Sequence, residues 1–425
     1  MKEKKQSRPA AKPAAKPEAA QHKTEEAAKL APCSTVERWV NVMIIRAVRE
    51  GASDIHIEQG PEGLSVRFRV DGALRPAPAP EQGLQEGVPT RLKKMARMKL
   101  EDERLPKDGR YGALVDGREV DFSVHSLPTS HGESLTLRLR DCNSLMPLGK
   151  LGCEPAALAK VRELLAKPRG LILVVGPAGS GKTTTLYAML SELAKSDKKV
   201  VTLEYPIEYD LPNVAQSQVD PRSGYDYPVA LRAVARQDPD VLMVGNLGDA
   251  ATALAALQTA LGGRLVLSSV NAGDAAEAIS GLLGLGVDPF LLATGLEGII
   301  VQRVLRRVCP SCKQRVAPTS IEKGWLGLKP GQKLAKGRGC KECKGTGYRG
   351  RVGVFAVLPV TDTLRDLVLT RPQPSALRQS YGTVERTALI SAGTAKVRAG
   401  LTTLREVVVK GGFGYLMDPE AINGL

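Results

Sequence analysis

Apolar residues fall at helical spacing from Val36 to Glu50 (VERWVNVMIIRAVRE), which predicts a helix there. Two short runs follow, Ser53 to Glu58 and Leu64 to Val70 (LSVRFRV), and both read as strands, with Asp71-Gly72 as a turn after the second. Helical spacing returns from Thr90 to Met98, then strands are expected around Arg110–Val115, Val120–Val124 and Ser134–Leu139. This pattern describes a small α+β domain over residues 33–148. From Pro155 the pattern changes. A helix at 155–167 precedes a wholly apolar run, Leu171 to Val175, and further apolar runs recur at Val200–Leu203, Val241–Val244 and Leu265–Val270 with helices between them. Alternation of that kind predicts an α/β domain with a parallel sheet covered on both faces, here over residues 149–425. A cysteine-containing segment at about 305–350 interrupts it, and a helical region runs from Thr363 to Val409.

The turn after Leu171–Val175 reads Gly176-Pro177-Ala178-Gly179-Ser180-Gly181-Lys182-Thr183, and Thr184 to Leu193 reads as a helix. This is G-x-x-x-x-G-K-[ST] between a strand and a helix, the phosphate-binding loop. Bare backbone N–H groups and the positive end of the helix are aimed at phosphate. Lys182 is expected to reach the β- and γ-phosphates, and the hydroxyl of Thr183, next to Thr184, to hold Mg²⁺. A glycine turn that binds nothing is the alternative, and the flanking strand and helix argue against it. The chain is therefore expected to bind ATP.

Composition changes little. The 425 residues are 43% hydrophobic and 25% charged, as in an ordinary globular protein. No apolar run approaches the ~18 residues that span a bilayer, and the N-terminus lacks the apolar middle of a signal peptide, so a cytoplasmic place is expected. Residues 1–32 form a Lys/Ala/Pro-rich tail expected to be disordered. Net charge is +15, about +4 of it in the tail, with the remaining surplus expected along the chain. Such a charge is compatible with nucleic acid. Only 4% of residues are aromatic, however, so stacking on single strands is not expected.

Cys33, Cys142 and Cys153 are isolated, whereas Cys309-x-x-Cys312 and Cys340-x-x-Cys343 form two pairs. Paired C-x-x-C units in a cytosolic chain predict Zn²⁺ held by four thiolates, against free thiols or a redox pair. Four protein ligands close the shell, so the metal is expected to be structural. His56 is expected to cap or brace the first domain, and Trp39 and Trp325 to serve core or subdomain packing. Arg67 and Arg69 share one strand face, either solvated or facing a neighbouring protomer.

These motifs, in this order, resemble the GspE/PulE/PilB family of type II secretion and type IV pilus assembly ATPases. The resemblance covers residues 35–410. It rests on GASDIHIE (51–58), VRFRVDG (66–72), RLPKDGR (104–110), LPTSHGE (127–133), the phosphate loop, LEYPIEY (203–209), LRAVARQDPDVLMVG (231–245) and the four cysteines. It implies a RecA-like motor domain with a zinc-knuckle insertion, in a hexameric ring that works with inner-membrane platform proteins from the cytoplasmic side. The family often has a further N-terminal docking domain, and only the disordered tail is expected in that place here. The resemblance implies nucleotide in a cleft between the two domains, with Arg138 and Arg232 closing on the phosphates and Arg236 also kept.

The chain departs from the family at hydrolytic positions. Asn246 stands where the family has the glutamate that orients water, and Gly248 where it has an arginine before Asp249. Tyr205 replaces an acidic-box aspartate, while Glu204 and Glu208 remain. Arg264 and Asn271 replace two histidines, and Ser123 replaces a phosphate-gripping arginine. An amide holds a water but cannot take its proton. An ATP-binding subunit with impaired hydrolysis is thus expected, in a homomeric or mixed ring. The alternatives are an active ATPase with Glu204 or Glu208 as a shifted base, and a nucleic-acid translocation module suggested by charge alone.

Overall fold

The computed structural model describes residues 34–101, 104–141 and 145–412. The tail at 1–32, Cys33 and Cys142 lie outside them.

The first domain opens with α1 (Thr35–Arg49), started by a capping box in which Ser34 and Glu37 each bond the other's backbone N–H. Strands β1 (Ala52–Gly60), β2 (Gly63–Val70) and β3 (Ala73–Ala77) follow, then α2 (Gly87–Met95), β4 (Lys107–Val115), β5 (Arg118–Thr129) and β6 (Gly132–Asp141). They form one antiparallel sheet in the order β3-β2-β1-β6-β5-β4. Its inner face packs Ile55, Ile57, Phe68, Phe122, Val124, Leu135 and Leu137 against Val40, Ile44 and Leu92. The helix expected to reach Met98 ends at Met95, because Arg97 turns left-handed at φ +55°. His56 braces β1 against β6 through the Thr136 hydroxyl, 3.3 Å away, and Trp39 packs on the core.

The second domain holds α3 (Pro155–Leu165), β7 (Gly170–Gly176), α4 (Lys182–Leu193), β8 (Val200–Glu204), β9 (Val214–Gln218) and α5 (Tyr227–Val234). It continues through β10 (Val241–Val244), α6 (Ala250–Leu261), β11 (Leu265–Asn271), α7 (Ala275–Gly284), α8 (Pro289–Gly295) and β12 (Leu296–Val308). The sheet order is β15-β12-β7-β11-β10-β8-β9, where β15 is Tyr348–Pro359. The pairs from β12 through β9 are parallel. The edge strand β15 runs antiparallel to β12, so the sheet is parallel with one reversed edge. The buried strands β7, β8 and β10 read as continuous apolar runs, as a sheet covered on both faces requires.

The cysteine segment is the connection between β12 and β15. It carries the β13 (Lys313–Val316) and β14 (Leu334–Gly337) hairpin, with α9 (Ser320–Leu326) between them. Charge gathers here: residues 303–351 hold fourteen Lys/Arg against two Glu, so most of the +15 sits in this segment and the tail, not spread along the chain. Helices α10 (Asp362–Leu369), α11 (Pro374–Leu377), α12 (Thr383–Arg398) and α13 (Leu404–Gly411) close the domain. Leu389, Val397, Leu404 and Val407 from these helices join the core beneath β12, and Trp325 packs against it. Among the described residues no helix is long and apolar enough to cross a membrane.

Candidate functional site

The phosphate loop leaves the carboxyl end of β7 and enters α4. Gly179 and Gly181 sit at φ +75° and +84°, a backbone that side chains rarely adopt. A Cβ on Gly181 would also stand 2.9 Å from Gln302 Nε2. Gly181 caps α4 without any side-chain acceptor, so the first N–H groups of that helix stay available to an anion. Pro177, Ala178 and Gly179 are exposed, Thr183 and Thr184 half-buried. Lys182 Nζ donates to the carbonyls of Gly176 and Pro177 at 2.9 and 3.0 Å. Burial, then the charge of Arg303, lowers the pKa of Lys182.

A buried side chain that the sequence reading passed over holds the loop from beneath. Gln302 on β12 donates through Nε2 to the Ser180 carbonyl at 2.6 Å and accepts from the Thr185 hydroxyl at 2.7 Å. No motif spacing links Gln302 to the loop, so only the adjacency of β12 and β7 reveals it.

Glu204 ends β8 in full burial. Tyr187 Oη donates to one of its carboxylate oxygens, and Thr202 Oγ1 and Gln216 Nε2 donate to the other at 2.6 and 3.1 Å. Tyr187 Oη in turn accepts from the backbone N–H of Glu208 at 2.9 Å. Glu204 thus holds the acidic segment in shape. Glu208 is half-buried, and burial raises its pKa against the pull of Arg140, Arg138 and Arg110. Asn246 is exposed on the loop after β10. Asp249 caps α6 through Thr252 N–H at 2.8 Å and its hydroxyl at 2.6 Å.

Of the two positions where the resemblance places histidines, only Asn271 lies at the phosphate end, in register with Gly176. Arg264 precedes β11 at the opposite end of the sheet, where its carbonyl accepts from Gly170 N–H at 3.1 Å. Of the six departures, then, Arg264 is remote from the loop.

The outer face of the first domain brings Arg110, Ser123 and Arg138 side by side across β4, β5 and β6. Arg138 pairs with Asp54 at 3.0 Å. Arg110 bonds Gln218 across the domain boundary at 3.5 Å, and Arg222 pairs with Asp108 at 3.1 Å. Arg110 and Arg140 both act on Glu208 through their charge. Arg110 closes the RLPKDGR segment, which was signal enough to find it. Arg232 is exposed on α5, and no described hydrogen bond or ion pair joins it to the phosphate loop. Arg67 pairs with Glu58 at 2.5 Å and Arg69 with Asp54 at 3.9 Å.

The Sγ atoms of Cys309, Cys312, Cys340 and Cys343 lie within 4.8 Å of one another, with Cys309–Cys340 at 3.9 Å, Cys312–Cys343 at 3.8 Å and Cys340–Cys343 at 3.7 Å. A tetrahedron with metal–sulfur bonds of about 2.3 Å has edges of about 3.8 Å, so the cluster is sized for a Zn²⁺-like ion. Backbone N–H groups of Cys340 and Gly347 each reach Cys343 Sγ at 3.2 Å. Burial raises that thiol, and these donors together with the Cys340 and Cys312 thiols more than offset it, to about 6. The four cysteines can hold a metal.

Residues 29–409 match the family described as Type II/IV secretion system protein. The chain belongs to that family. Relatives include the type II secretion system protein E of Klebsiella pneumoniae, 43% identical over 87% of this chain and 75% of its own length. The type II secretion system ATPase E of Vibrio cholerae is 40% identical over 87% and 74%. The type IV pilus assembly ATPase PilB of Myxococcus xanthus is 38% identical over 90% and 69%. The fold is shared with the Legionella pneumophila ATPase DotB at a TM-score of 0.61, 20% identity, and 91% and 98% coverage. Within the family's fold, the geometry above places the phosphate loop at the carboxyl ends of the parallel strands, where α/β sheets bind ligands.

Proposed function

We propose that this chain is the ATP-binding motor-type subunit of a type II secretion or type IV pilus assembly machine, with hydrolysis slow or absent. The observation that carries the binding half is the loop itself. Left-handed glycines, an uncapped helix end and Lys182 converge where the β7 strand stops. The backbone from Gly179 to Thr183 would cradle the phosphates, and the Thr183 hydroxyl would hold Mg²⁺, which neutralises phosphate charge when bound. Arg138 and Arg232 would close on the nucleotide as the domains approach, with Arg110 and Arg140 alongside.

The hydrolysis half rests on Asn246. Glu204 offers no substitute base, because both its oxygens are engaged by Tyr187, Thr202 and Gln216. Glu208 supports a second reading, an active ATPase with a displaced base. Its burial raises its proton affinity toward the range a base needs. Four thiolates would fix Zn²⁺ as a structural brace. The family points to a ring of such subunits, cytoplasmic and peripheral at the inner membrane against platform proteins, and the 4% aromatic content argues against a nucleic-acid partner. Calorimetric titration with Mg·ATP tests the binding reading: wild type binds and Lys182→Ala does not. Absence of binding to wild type contradicts it.

A further inference from the structure

Arg303 belongs to none of the motifs above, yet the fold sets it at the phosphate loop. It follows Gln302 on β12. Its Nη1 donates to the Gln302 carbonyl at 3.0 Å, and its Nη2 donates to the carbonyl of Gly273, just beyond the end of β11. Strands β11 and β12 flank β7 on its two sides. The guanidinium therefore spans the carboxyl end of β7, where Gly176 opens the loop. The fit there is close. A Cβ on Gly176 would stand 2.6 Å from the same Gln302 carbonyl oxygen that Arg303 holds, and Lys182 donates to the Gly176 carbonyl at 2.9 Å.

The electrostatics agree with the geometry. Among the described residues no carboxylate forms an ion pair with Arg303, and its described hydrogen bonds end on backbone carbonyls. Burial lowers its pKa, while Glu385, Asp274 and Glu277 act in the opposite sense from further off. Its charge in turn lowers the pKa of Lys182. Two like charges in a half-buried place repel each other, and an anion between them turns that cost into attraction. A triphosphate carries one more phosphate for such a pair than a diphosphate does.

We infer that Arg303 is a positioning residue for the nucleotide: it ties together the strands on either side of the phosphate loop and sets a second positive charge beside Lys182, so that the site favours ATP over ADP. This rests on the nucleotide-binding reading given above.

The test is the ratio of ADP to ATP dissociation constants, measured with Mg²⁺ on the full chain by calorimetry. Wild type is expected to prefer ATP. Arg303→Gln is expected to lower that preference about tenfold, the size of one hydrogen bond to a charged group. Arg303→Lys, which keeps the charge and loses the two-carbonyl span, is expected to keep most of the preference and to melt lower without nucleotide. An Arg303→Gln protein with an unchanged ratio overturns the inference, as does an equal loss of ATP and ADP affinity, the sign of a brace alone. Should Arg303→Gln fail to fold, the wild-type ratio still decides: equal binding of ATP and ADP overturns the inference and leaves nucleotide binding intact. Wild type that binds neither defeats the nucleotide reading itself.

Discussion

At the scale of single residues, chemistry turns on a few side chains whose surroundings decide what they can do. Glu204 and Glu208 look alike in the sequence, both acids in LEYPIEY. The fold separates them: one is locked by three donors, the other half-buried among arginines. No sequence pattern could have told them apart, because the donors come from α4, β8 and β9. Burial also lifts Glu385 on α12 to about 7, although it accepts from Ala275 N–H at 2.9 Å. A carboxyl raised in the folded state holds its proton there longer than in the unfolded chain. Its stabilising contribution is present at low pH and is lost as pH rises from about 4.5 to about 7. Glu385→Gln keeps an acceptor for Ala275 and cannot ionise. Its stability relative to wild type should therefore rise across that window, as urea unfolding at pH 5 and pH 8 would show. A constant difference between the two pH values contradicts the assignment.

Elements tell a different story. The phosphate loop, its strand and its helix were legible because glycine spacing and apolar runs are local. Strands β12 and β15 were not. Both combine arginines with apolar stretches, and the pairing that makes them strands lies across the whole cysteine segment. With β12 unseen, Gln302 and Arg303 had no visible reason to touch the loop. Gln302→Ala should leave the Ser180 carbonyl and the Thr185 hydroxyl without their partner. Each buried group left unpaired costs about 1–3 kcal/mol, so thermal unfolding should shift down and ATP affinity should fall with it. Unchanged melting would show that the clamp carries no weight. The metal-binding segment makes a separate prediction. One Zn²⁺ per chain is expected by elemental analysis, and Cys340→Ser should lower the melting temperature without touching ATP affinity, since four thiolates leave no open position for substrate. Metal-free protein that melts unchanged contradicts this.

Across the whole molecule, two domains meet where charge is dense. Arg222–Asp108 and Arg110–Gln218 tie the outer face of the first sheet to the end of the second. The change of periodicity expected near residue 150 falls between the antiparallel sheet, which ends with β6, and the mainly parallel sheet, which begins with β7. The cleft chemistry was only partly readable, since it depends on which face of the first sheet turns toward the loop. We propose that this family member binds ATP and turns it over poorly because Asn246 cannot accept a proton. Phosphate release under saturating Mg·ATP, with Asn246→Glu alongside wild type, tests it most directly. Wild type is expected to release phosphate at near background. Asn246→Glu is expected to raise release about 10- to 100-fold, part of a general base's worth because Ser123 and Asn271 remain. Brisk release by wild type, abolished by Glu208→Gln and unaffected by Asn246→Glu, would contradict it and establish the displaced base instead.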